Sequence, residues 1–324
     1  MDDALPPSAA TALAGRPVLV TGASGFLGTH LSRALVAAGA QVHALRRTPA
    51  ADTRLPCPGL VWHTADLTDE PALARAVREA TPKVVFHLAA YGTTYDPKDE
   101  AAAFRVNVEG SLALWRALAD RACRLVVAGS CGEYGQARGQ VSETLACRPT
   151  WFYPATKNAA VTLLSTLGRQ HGREVVTLRP FGPYGPADRR ERIVPHVVTE
   201  LLAGREVAVT LGEQLRDYAH VHDHVEAFLL AATRPLAESG AIYNVGSGEV
   251  VRLRDLLATI ARAVGGDAPE RLRLGAVPYR PGEVWEMCCD ITAARRDLGY
   301  APRVLLAEGI ARTVAWYREQ QEIS

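Results

Sequence analysis

The sequence predicts an α/β protein with a doubly wound parallel sheet and a smaller C-terminal domain of mixed α/β structure. Residues 18–21 form a short apolar run typical of buried parallel strands, Gly22 begins a glycine-rich turn, and apolar side chains then recur at helical spacing. Strand and helix patterns alternate up to residue 180, as in parallel sheets with right-handed crossovers. From Phe181 the chain is rich in turns and its elements are shorter, so we place the second domain there.

Length and composition restrict the class of protein. The chain has 324 residues, of which 48% are hydrophobic and 22% charged, and its net charge is +1. This balance argues against nucleic-acid and membrane-surface partners, which require a concentrated basic field, and favours a small-molecule partner. No apolar run reaches the roughly 18 residues of a membrane span. Residues 1–15 lack a basic start and an apolar stretch, so we expect a disordered tail there and a cytoplasmic protein with reduced thiols.

Three glycines follow the first strand at intervals of three. Gly22 suits a tight turn, Gly25 lets the backbone approach a pyrophosphate, and Gly28 allows the helix to pack closely on the strand. The spacing differs from the usual dinucleotide fingerprint, and a plain strand-to-helix turn is the alternative. We favour dinucleotide binding because a strand precedes the turn and a helix N-terminus, which attracts anions, follows it. The expected contacts in this turn are Gly22, Ser24, Gly25, Phe26, Leu27 and Gly28.

The second predicted strand, residues 41–45, ends at Arg46 and Arg47. An acidic residue about twenty positions after the glycines binds the adenosine ribose of NAD, whereas an arginine there accommodates the 2′-phosphate of NADP. No Asp or Glu occurs from residue 39 to residue 51. We therefore expect NADP(H) as cofactor, with a solvated arginine pair at a strand end as the alternative.

Further strands are predicted at residues 59–63, 84–90, 125–128 and 175–178. Ligands of such sheets bind beyond the carboxyl ends of the strands. Asp66 either caps the predicted helix 70–80 or faces the adenine. The residues at strand ends that we assign to the site are Asp66, Leu67, Leu88, Ala89, Ala90, Ser130 and Pro180.

A long helix is predicted at residues 101–121, followed by a loop at 132–150 and a helix at 153–171. Residues 16–180 then form an NADP-binding domain of the Rossmann type, and residues 181–324 form mainly a substrate domain, from which 221–248 return to the first. The apolar face of the long helix comprises Phe104, Val108, Leu112, Trp115 and Leu118.

Tyr153 and Lys157 are one helical turn apart, so both side chains project from one face. A phenol has a pKa near 10, and an adjacent ammonium and an oxidised nicotinamide ring favour the phenolate, so we expect Lys157 and the bound cofactor to lower the pKa of Tyr153 toward neutrality. The tyrosine then serves as a proton donor or acceptor. Ser130, at the end of a neighbouring strand, is placed to polarise a carbonyl. We assign Ser130, Tyr153 and Lys157 as catalytic residues.

The chain resembles the extended short-chain dehydrogenase/reductase family, whose members act on nucleotide sugars, from about residue 18 to residue 302. The matching segments are 22–28, 87–90, Asn107, 129–135, Tyr153 with Lys157, 179–186, 214–223, 243–248, 280–283, Asp290 and 298–302.

The resemblance implies specific roles for several residues. Ser130, Tyr153 and Lys157 form the catalytic set, and Lys157 also holds the nicotinamide ribose. Arg216 and Arg280 approach the diphosphate of the substrate, for which a planar guanidinium is suited; surface ion pairs are the alternative. Relatives often form dimers, which here would pair helices 101–121 and 153–171. The expected substrate contacts are Thr93, Ser130, Cys131, Glu133, Tyr153, Arg216 and Arg280, where Glu133 either contacts a sugar hydroxyl or faces solvent.

Departures from the family indicate which reaction is catalysed. Dehydrating relatives carry Asp-Glu after the catalytic Ser or Thr, where this chain has Cys131 and Gly132. Epimerases usually have an acidic residue where Arg46 stands, and relatives often have a substrate-binding Asn at Gly182. We therefore predict NADPH-dependent reduction of a nucleotide-diphospho-4-keto-6-deoxyhexose to the 4-hydroxy sugar.

Three alternatives remain open at this stage. The first is an NAD-dependent nucleotide-sugar 4-epimerase, and the second is a reductase of a non-nucleotide ketone, which would not need Arg216 or Arg280. The third is a non-catalytic NADP-binding regulator, which would not need Tyr153 with Lys157. No metal is expected, because His220, His222 and His224 have no matching ligand cluster in the sequence.

Overall fold

A seven-stranded sheet, parallel at every pairing, forms the centre of the computed structural model, which describes residues 12–49, 53–92 and 99–323. The strand order reverses between the first and fourth strands, which is the switch point where ligands bind in such sheets. The predicted fold class is confirmed. In spatial order the strands are Ala241–Val245, Val175–Pro180, Arg124–Ala128, Val84–His87, Pro17–Thr21, Gln41–Arg46 and Val61–Thr64.

Helices cover both faces of the sheet and bury its alternating side chains. In the first strand, Val18 and Val20 belong to one core cluster and Leu19 to another, because successive strand residues point to opposite faces. All three are fully buried. The helices are Phe26–Ala37, Glu70–Ala80, Glu100–Phe104, Gly110–Ala117, Phe152–Gln170, Ile193–Leu202, Val221–Thr233, Leu253–Val264, Thr292–Leu298 and Leu306–Ile323.

Local capping chemistry sets the bounds of the helix Glu70–Ala80. Its N-cap is Asp69, which accepts a hydrogen bond from Ala72 N at 3.1 Å. The alternative that Asp66 caps this helix is wrong, because Asp66 Oδ1 instead accepts bonds from Thr68 N and Thr68 Oγ1 at 2.9 and 2.7 Å. The predicted bounds, 70–80, agree with the structure.

The predicted helix 101–121 is interrupted. After Glu100–Phe104, residues Arg105–Glu109 form a π-helical turn, and the α-helix continues only over Gly110–Ala117. The wider turn changes the angular spacing of the side chains. As a result Phe104 is 45% exposed and Leu112 is only partly buried, although both were predicted to face the core.

The strand predicted at 84–90 ends at His87, because the following residues leave the sheet at its carboxyl edge. Within the predicted loop 132–150, Gln140–Val141 pair with Cys288–Cys289. The remaining short strands and single turns of helix are Cys131–Tyr134, Pro183–Tyr184, Val207–Val209, Leu215–Arg216, Ala219–His220, Val251–Arg252, Ala268–Arg271, Leu272–Leu274 and Glu286–Cys289.

The chain beyond residue 180 contributes to two cores. Ala241–Val245 pairs with Val175–Pro180 and extends the central sheet, while Val221–Thr233 packs on Phe26–Ala37. A separate cluster of buried side chains belongs to the C-terminal half, and the division into domains at residues 180 and 181 stays a prediction. Members of that cluster include Val194, Val197, Leu256, Ile260, Ile310 and Val314.

The predicted disordered tail, residues 1–15, overlaps the described structure, which begins at residue 12. Residues 1–11 lie outside the described structure, but Leu13 is fully buried and Gly15 N donates to Gly39 O at 2.8 Å. Packing against the core therefore begins before residue 16. Among the described residues, no helix combines the length and apolar character needed to cross a membrane.

Candidate active site

The glycine turn brings three chain segments into contact. Gly22 has a φ of +74°, and a Cβ added there would lie 2.6 Å from Ala89 N. A Cβ on Gly28 would lie 2.0 Å from Gly22 O. Gly25, whose N–H donates to Gly22 O, is the N-cap of a helix with no acidic residue in its first turn. The positive end of this helix and the close backbone approach fit the pyrophosphate of a dinucleotide. Ser24, Phe26 and Leu27 lie in the same turn.

Arg46 ends the second strand and is half-buried. Its guanidinium carbon lies 5.3 Å from the centre of the Trp62 ring, and its Nε donates to Thr64 Oγ1 at 3.4 Å. These contacts direct Arg46 across the third strand at the carboxyl edge of the sheet. Arg47 is exposed, and Asp66 is half-buried in the next turn of that edge. Leu67, beside Asp66, is buried.

Small residues after the fourth strand are fixed by a buried polar chain. Leu88 N and Ala89 N donate to Thr21 O and Thr21 Oγ1 at 3.1 and 3.2 Å. Thr21 Oγ1 is also hydrogen-bonded to His87 Nδ1, and His87 Nε2 to Ser111 Oγ, at 2.8 and 2.9 Å. Burial lowers the pKa of His87 to about 3, with a smaller contribution from a nearby lysine, so the ring is neutral at physiological pH.

Asn107 connects the segment after Ala90 to the helix that carries the tyrosine. Its side-chain amide accepts from Tyr91 N at 2.8 Å and donates to Tyr91 O and Thr156 Oγ1, both at 2.9 Å. Thr156 Oγ1 in turn donates to Tyr153 O at 2.8 Å. The sequence marked Asn107 only through the family resemblance. A buried asparagine on an otherwise apolar helix face was the available signal.

The turn that carries Ser130 packs against the tyrosine helix. Ser130 follows the strand Arg124–Ala128 and caps the short helix Cys131–Tyr134, where its Oγ accepts from Gly132 N at 3.2 Å. A Cβ on Gly132 would lie 3.0 Å from Cγ of Pro154. The structure therefore brings Ser130 and Tyr153 to neighbouring elements, and it leaves little room for a side chain at residue 132.

The pKa of Tyr153 lies above its ordinary value in this structure, because burial is the largest influence on it. Burial, with smaller contributions from Glu133 and Cys131 and against the opposing charges of Arg192 and Arg189, raises the pKa of Tyr153 to about 12. Burial also lowers the pKa of Lys157, which is 2% exposed, to about 8. Desolvation of both groups thus outweighs the effect expected from their spacing in the sequence, and the phenol is protonated at neutral pH.

Glu133 occupies neither of its predicted environments. It is fully buried, its Oε1 accepts from Ser130 N at 2.7 Å, and its Oε2 accepts from Arg179 Nε at 2.8 Å. Because both oxygens are engaged inside the protein, a direct contact with a sugar hydroxyl and a solvent-facing position are both excluded for this conformation. No pattern in the sequence indicated the pairing with Arg179, which is 46 residues away.

Arg216 is held by the segment that contains the other predicted phosphate ligand. Its Nη2 donates to Glu283 Oε1 at 2.9 Å and to Val284 O, and its Nη1 donates to Leu215 O at 2.9 Å. Arg280 is exposed in the same segment, and Glu283 N donates to its carbonyl oxygen at 3.2 Å. The predicted contact Thr93 lies outside the described residues.

Two arginines near Tyr153 were not assigned to the site by the sequence analysis. The charges of Arg189 and Arg192 both lower the pKa of Tyr153, and that of Arg192 also lowers the pKa of Cys131, which burial raises. Arg192 pairs with Asp188 at 3.5 Å. The arginine-rich run at residues 188–192 was the available signal. These cations suit an anionic substrate near the tyrosine.

Gly182 cannot be replaced by asparagine without a backbone shift. Its φ is +38°, and a Cβ there would lie 2.1 Å from Asp217 O. Pro180, two residues earlier, is buried at the end of its strand. The absence of the substrate-binding asparagine that relatives often have at residue 182 therefore has a structural basis, since the backbone of residue 217 occupies the space beside this glycine.

No group of three or more His, Cys, Asp or Glu side chains suited to a metal ion occurs among residues 12–49, 53–92 and 99–323. In this part of the molecule His220 Nδ1 accepts from His222 N at 3.3 Å, and burial lowers the pKa of His220 to about 2.

A glycine turn at the switch point of a parallel sheet, followed by Ser130, Tyr153 and Lys157 on adjacent elements, defines the class of dinucleotide-binding α/β proteins with a short-chain dehydrogenase arrangement. Residues 18–246 match the NAD dependent epimerase/dehydratase family. The chain belongs to this family.

Relatives of two activities align along almost the whole chain. The dTDP-glucose 4,6-dehydratase of Streptomyces griseus is 31% identical, with 94% of each chain covered. The UDP-glucose 4-epimerase of Mycolicibacterium smegmatis is 34% identical, with 94% of this chain and 99% of the relative covered. The crystal structure of Thermus thermophilus UDP-glucose 4-epimerase in complex with NAD is 31% identical and has a TM-score of 0.83, covering 93% of this chain and 98% of that one.

Proposed function

We propose that the protein reduces a nucleotide-diphospho-4-keto-6-deoxyhexose to the 4-hydroxy sugar with NADPH. The observation that carries this proposal is the turn after Ser130. Family members that catalyse dehydration have Asp-Glu where this chain has Cys131 and Gly132. Gly132 also lies against Pro154, with little room for a side chain. Without those carboxylates the site lacks the acid and base for loss of water, and reduction needs only a hydride and a proton.

The proposed division of roles follows from the protonation states of the site. The nicotinamide, when bound, supplies the hydride. Tyr153 holds its proton on the phenol oxygen at neutral pH, because its pKa is about 12, and transfers it to the ketone oxygen. The Ser130 hydroxyl donates a hydrogen bond to the same oxygen, and the Lys157 ammonium compensates the developing phenolate.

A direct assay tests the proposed reaction. The purified protein is incubated with NADPH and 4-keto-6-deoxyhexoses carrying dTDP, GDP, CDP or UDP, and the absorbance of the reduced nicotinamide is followed. We expect oxidation of one NADPH for each alcohol formed with at least one of these sugars. No NADPH oxidation with any of these ketosugars, together with C4 epimerisation of a nucleotide hexose that carries a hydroxyl at C4, would contradict the proposal.

A nucleotide-sugar 4-epimerase is the second candidate. The 34% identity to the UDP-glucose 4-epimerase of Mycolicibacterium smegmatis over 94% of this chain favours it. Arg46 argues against it, because the family's epimerases usually have an acidic residue at that position. Copurification of oxidised cofactor with the protein would support the epimerase.

Exchange of Arg46 tests the choice of cofactor. Arg46→Asp is expected to weaken NADPH binding by about 100-fold and to improve NADH binding, because a carboxylate repels the 2′-phosphate and accepts hydrogen bonds from the ribose hydroxyls. Dissociation constants of both cofactors, measured by nicotinamide fluorescence, give the result. Arg262→Asp, on the exposed face of the helix Leu253–Val264, is the control for charge and should change neither constant. A wild-type protein that prefers NADH would refute this assignment.

We also propose a homodimer formed by the helices Gly110–Ala117 and Phe152–Gln170 with the residues before them. Phe104 and Leu163, which lie on these segments, are 45% and 38% exposed. Sedimentation equilibrium of the wild type and of Leu163→Glu tests the proposal: the wild type should be dimeric and the variant monomeric.

A further inference from the structure

Glu133 is a fully buried carboxylate next to the proposed catalytic residues. Its Oε1 accepts from Ser130 N at 2.7 Å, so the carboxylate fixes the backbone of the residue that bears the hydroxyl. Its Oε2 accepts from Arg179 Nε at 2.8 Å. Together with the bond from Gly132 N to Ser130 Oγ, this closes a capping box around the turn.

Arg179 anchors this arrangement to the central sheet. It extends from the strand Val175–Pro180, and its Nη1 and Nη2 donate to Tyr134 Oη at 2.8 Å and Cys147 Sγ at 3.0 Å. Tyr134 Oη then donates to Asn244 Oδ1, on the neighbouring strand, at 2.8 Å. The carboxylate of Glu133 is thus connected to two adjacent strands, and a shift of the serine turn would break several buried hydrogen bonds at once.

The same carboxylate acts on the two titratable groups of the tyrosine helix. It raises the pKa of Tyr153 and also that of Lys157, in the latter case against the effect of burial. Burial raises the pKa of Glu133 above its ordinary value, and Arg179 and the N–H of Ser130 oppose that rise because both donate to the charged form.

Other groups face these side chains from the surrounding elements. The charge of Lys157 lowers the pKa of His87, on the fourth strand, but His87 itself is neutral near physiological pH. Cys131, Arg189 and Arg192 act on Tyr153 from the serine turn and from the loop at residues 188–192. Of these groups, only Glu133 places a negative charge on both Tyr153 and Lys157.

We propose that Glu133 is a positioning residue whose buried carboxylate holds Ser130 in place and favours the ammonium form of Lys157, one helical turn from Tyr153. The proposal rests on the proposed function in one respect, namely that Ser130 and Tyr153 act on the ketone. It distinguishes two properties of the side chain: its length, which reaches Ser130 N, and its charge, which acts on the ammonium and the phenol.

Two substitutions separate these properties. Glu133→Gln keeps the length and an acceptor for Ser130 N but removes the charge, so Lys157 should lose its proton at a pH about one unit lower than in the wild type. Glu133→Asp keeps the charge but is one methylene shorter, so Lys157 should titrate as in the wild type while kcat for reduction falls by about 100-fold, because Ser130 is displaced.

The titration of Lys157 can be measured without any activity assay. The sequence contains three lysines, Lys83, Lys98 and Lys157, so a protein labelled with ¹³C-lysine gives three Cε signals, and Lys157→Arg assigns the one of interest. We expect a midpoint near pH 8 in the wild type and a lower midpoint in Glu133→Gln. Glu226→Gln is the control, because Glu226 is also a largely buried glutamate paired with an arginine, Arg303. It should leave the midpoint unchanged.

The outcomes decide between this inference and its alternatives. A folded Glu133→Gln protein in which Lys157 titrates as in the wild type would overturn the role of the charge, and a Glu133→Asp protein with wild-type kcat would overturn the role of the length. If Glu133→Gln does not fold, the double variant with Arg179→Gln removes both charges, and a downward shift of Lys157 smaller than one pH unit is expected, because loss of the arginine charge partly offsets loss of the carboxylate. Absence of ketone reduction in the wild type would refute the proposed function but leave the Lys157 titration as an independent test.

Discussion

Tyr153→Phe is expected to lower kcat for ketone reduction by about 1,000-fold or more, while the dissociation constant of NADPH changes little. The substitution removes only the hydroxyl that donates the proton, and general acid catalysis contributes effects of this size. The aromatic ring, whose centre lies 5.6 Å from that of Trp151, keeps its packing. Steady-state kinetics for the reduction and nicotinamide fluorescence for binding give the two quantities.

A second tyrosine provides the control for this experiment. Tyr243 lies in the edge strand Ala241–Val245, where it is 2% exposed, so Tyr243→Phe also removes a buried hydroxyl. We expect nearly wild-type reduction by this variant. If Tyr153→Phe retained more than about a tenth of the wild-type kcat, a proton donor other than Tyr153 would be required.

Gly28→Ala is expected to lower the free energy of unfolding by about 3 kcal/mol and to weaken NADPH binding by about tenfold or more. An added Cβ would lie 2.0 Å from the carbonyl oxygen of Gly22 and 2.9 Å from the Cα of Ala23, both of which are backbone atoms. The helix can accommodate the methyl group only by moving away from the first strand. Urea unfolding followed by circular dichroism measures the loss of stability.

Gly25→Ala is the matched control within the same turn. A Cβ at residue 25 would meet only Gly22 O, at 3.1 Å, and the φ of Gly25 is −80°, which any L-residue adopts. We therefore expect a loss below about 1 kcal/mol. Equal losses for the two variants would mean that the close approach of helix and strand at residue 28 does not limit stability.

Local patterns predicted most of the first half of the fold. The helix at 70–80 has the predicted bounds, and the strand predicted at 41–45 is one residue longer in the structure, Gln41–Arg46. The predictions failed where one apolar pattern is compatible with two backbone conformations. A π turn at Arg105–Glu109 preserves the helical appearance of the sequence but rotates Phe104 toward solvent, and nothing in the apolar spacing marks it.

In the candidate site, too, the sequence predicted the placement of residues along the chain but not their burial or charge pairing. The spacing of Tyr153 and Lys157 put them on one helix face, but their pKa values depend on desolvation, which the sequence does not contain. Glu133 is the clearest case. Its partner Arg179 is 46 residues away in the chain and on a different element, so only the packing of the serine turn on the sheet decides that this carboxylate is buried and paired.

By itself the sequence determined the parallel α/β architecture, the glycine turn, the arginine at the end of the second strand, and the absence of carboxylates at residues 131 and 132. These are properties of residue type and of periodicity along the chain. Only the tertiary structure decided that Ala241–Val245 completes the central sheet, that Arg216 pairs with Glu283, and that Glu133 is buried and pairs with Arg179. The physical reason is that burial and charge pairing depend on segments distant in sequence, whereas helix and strand periodicity depends on neighbours.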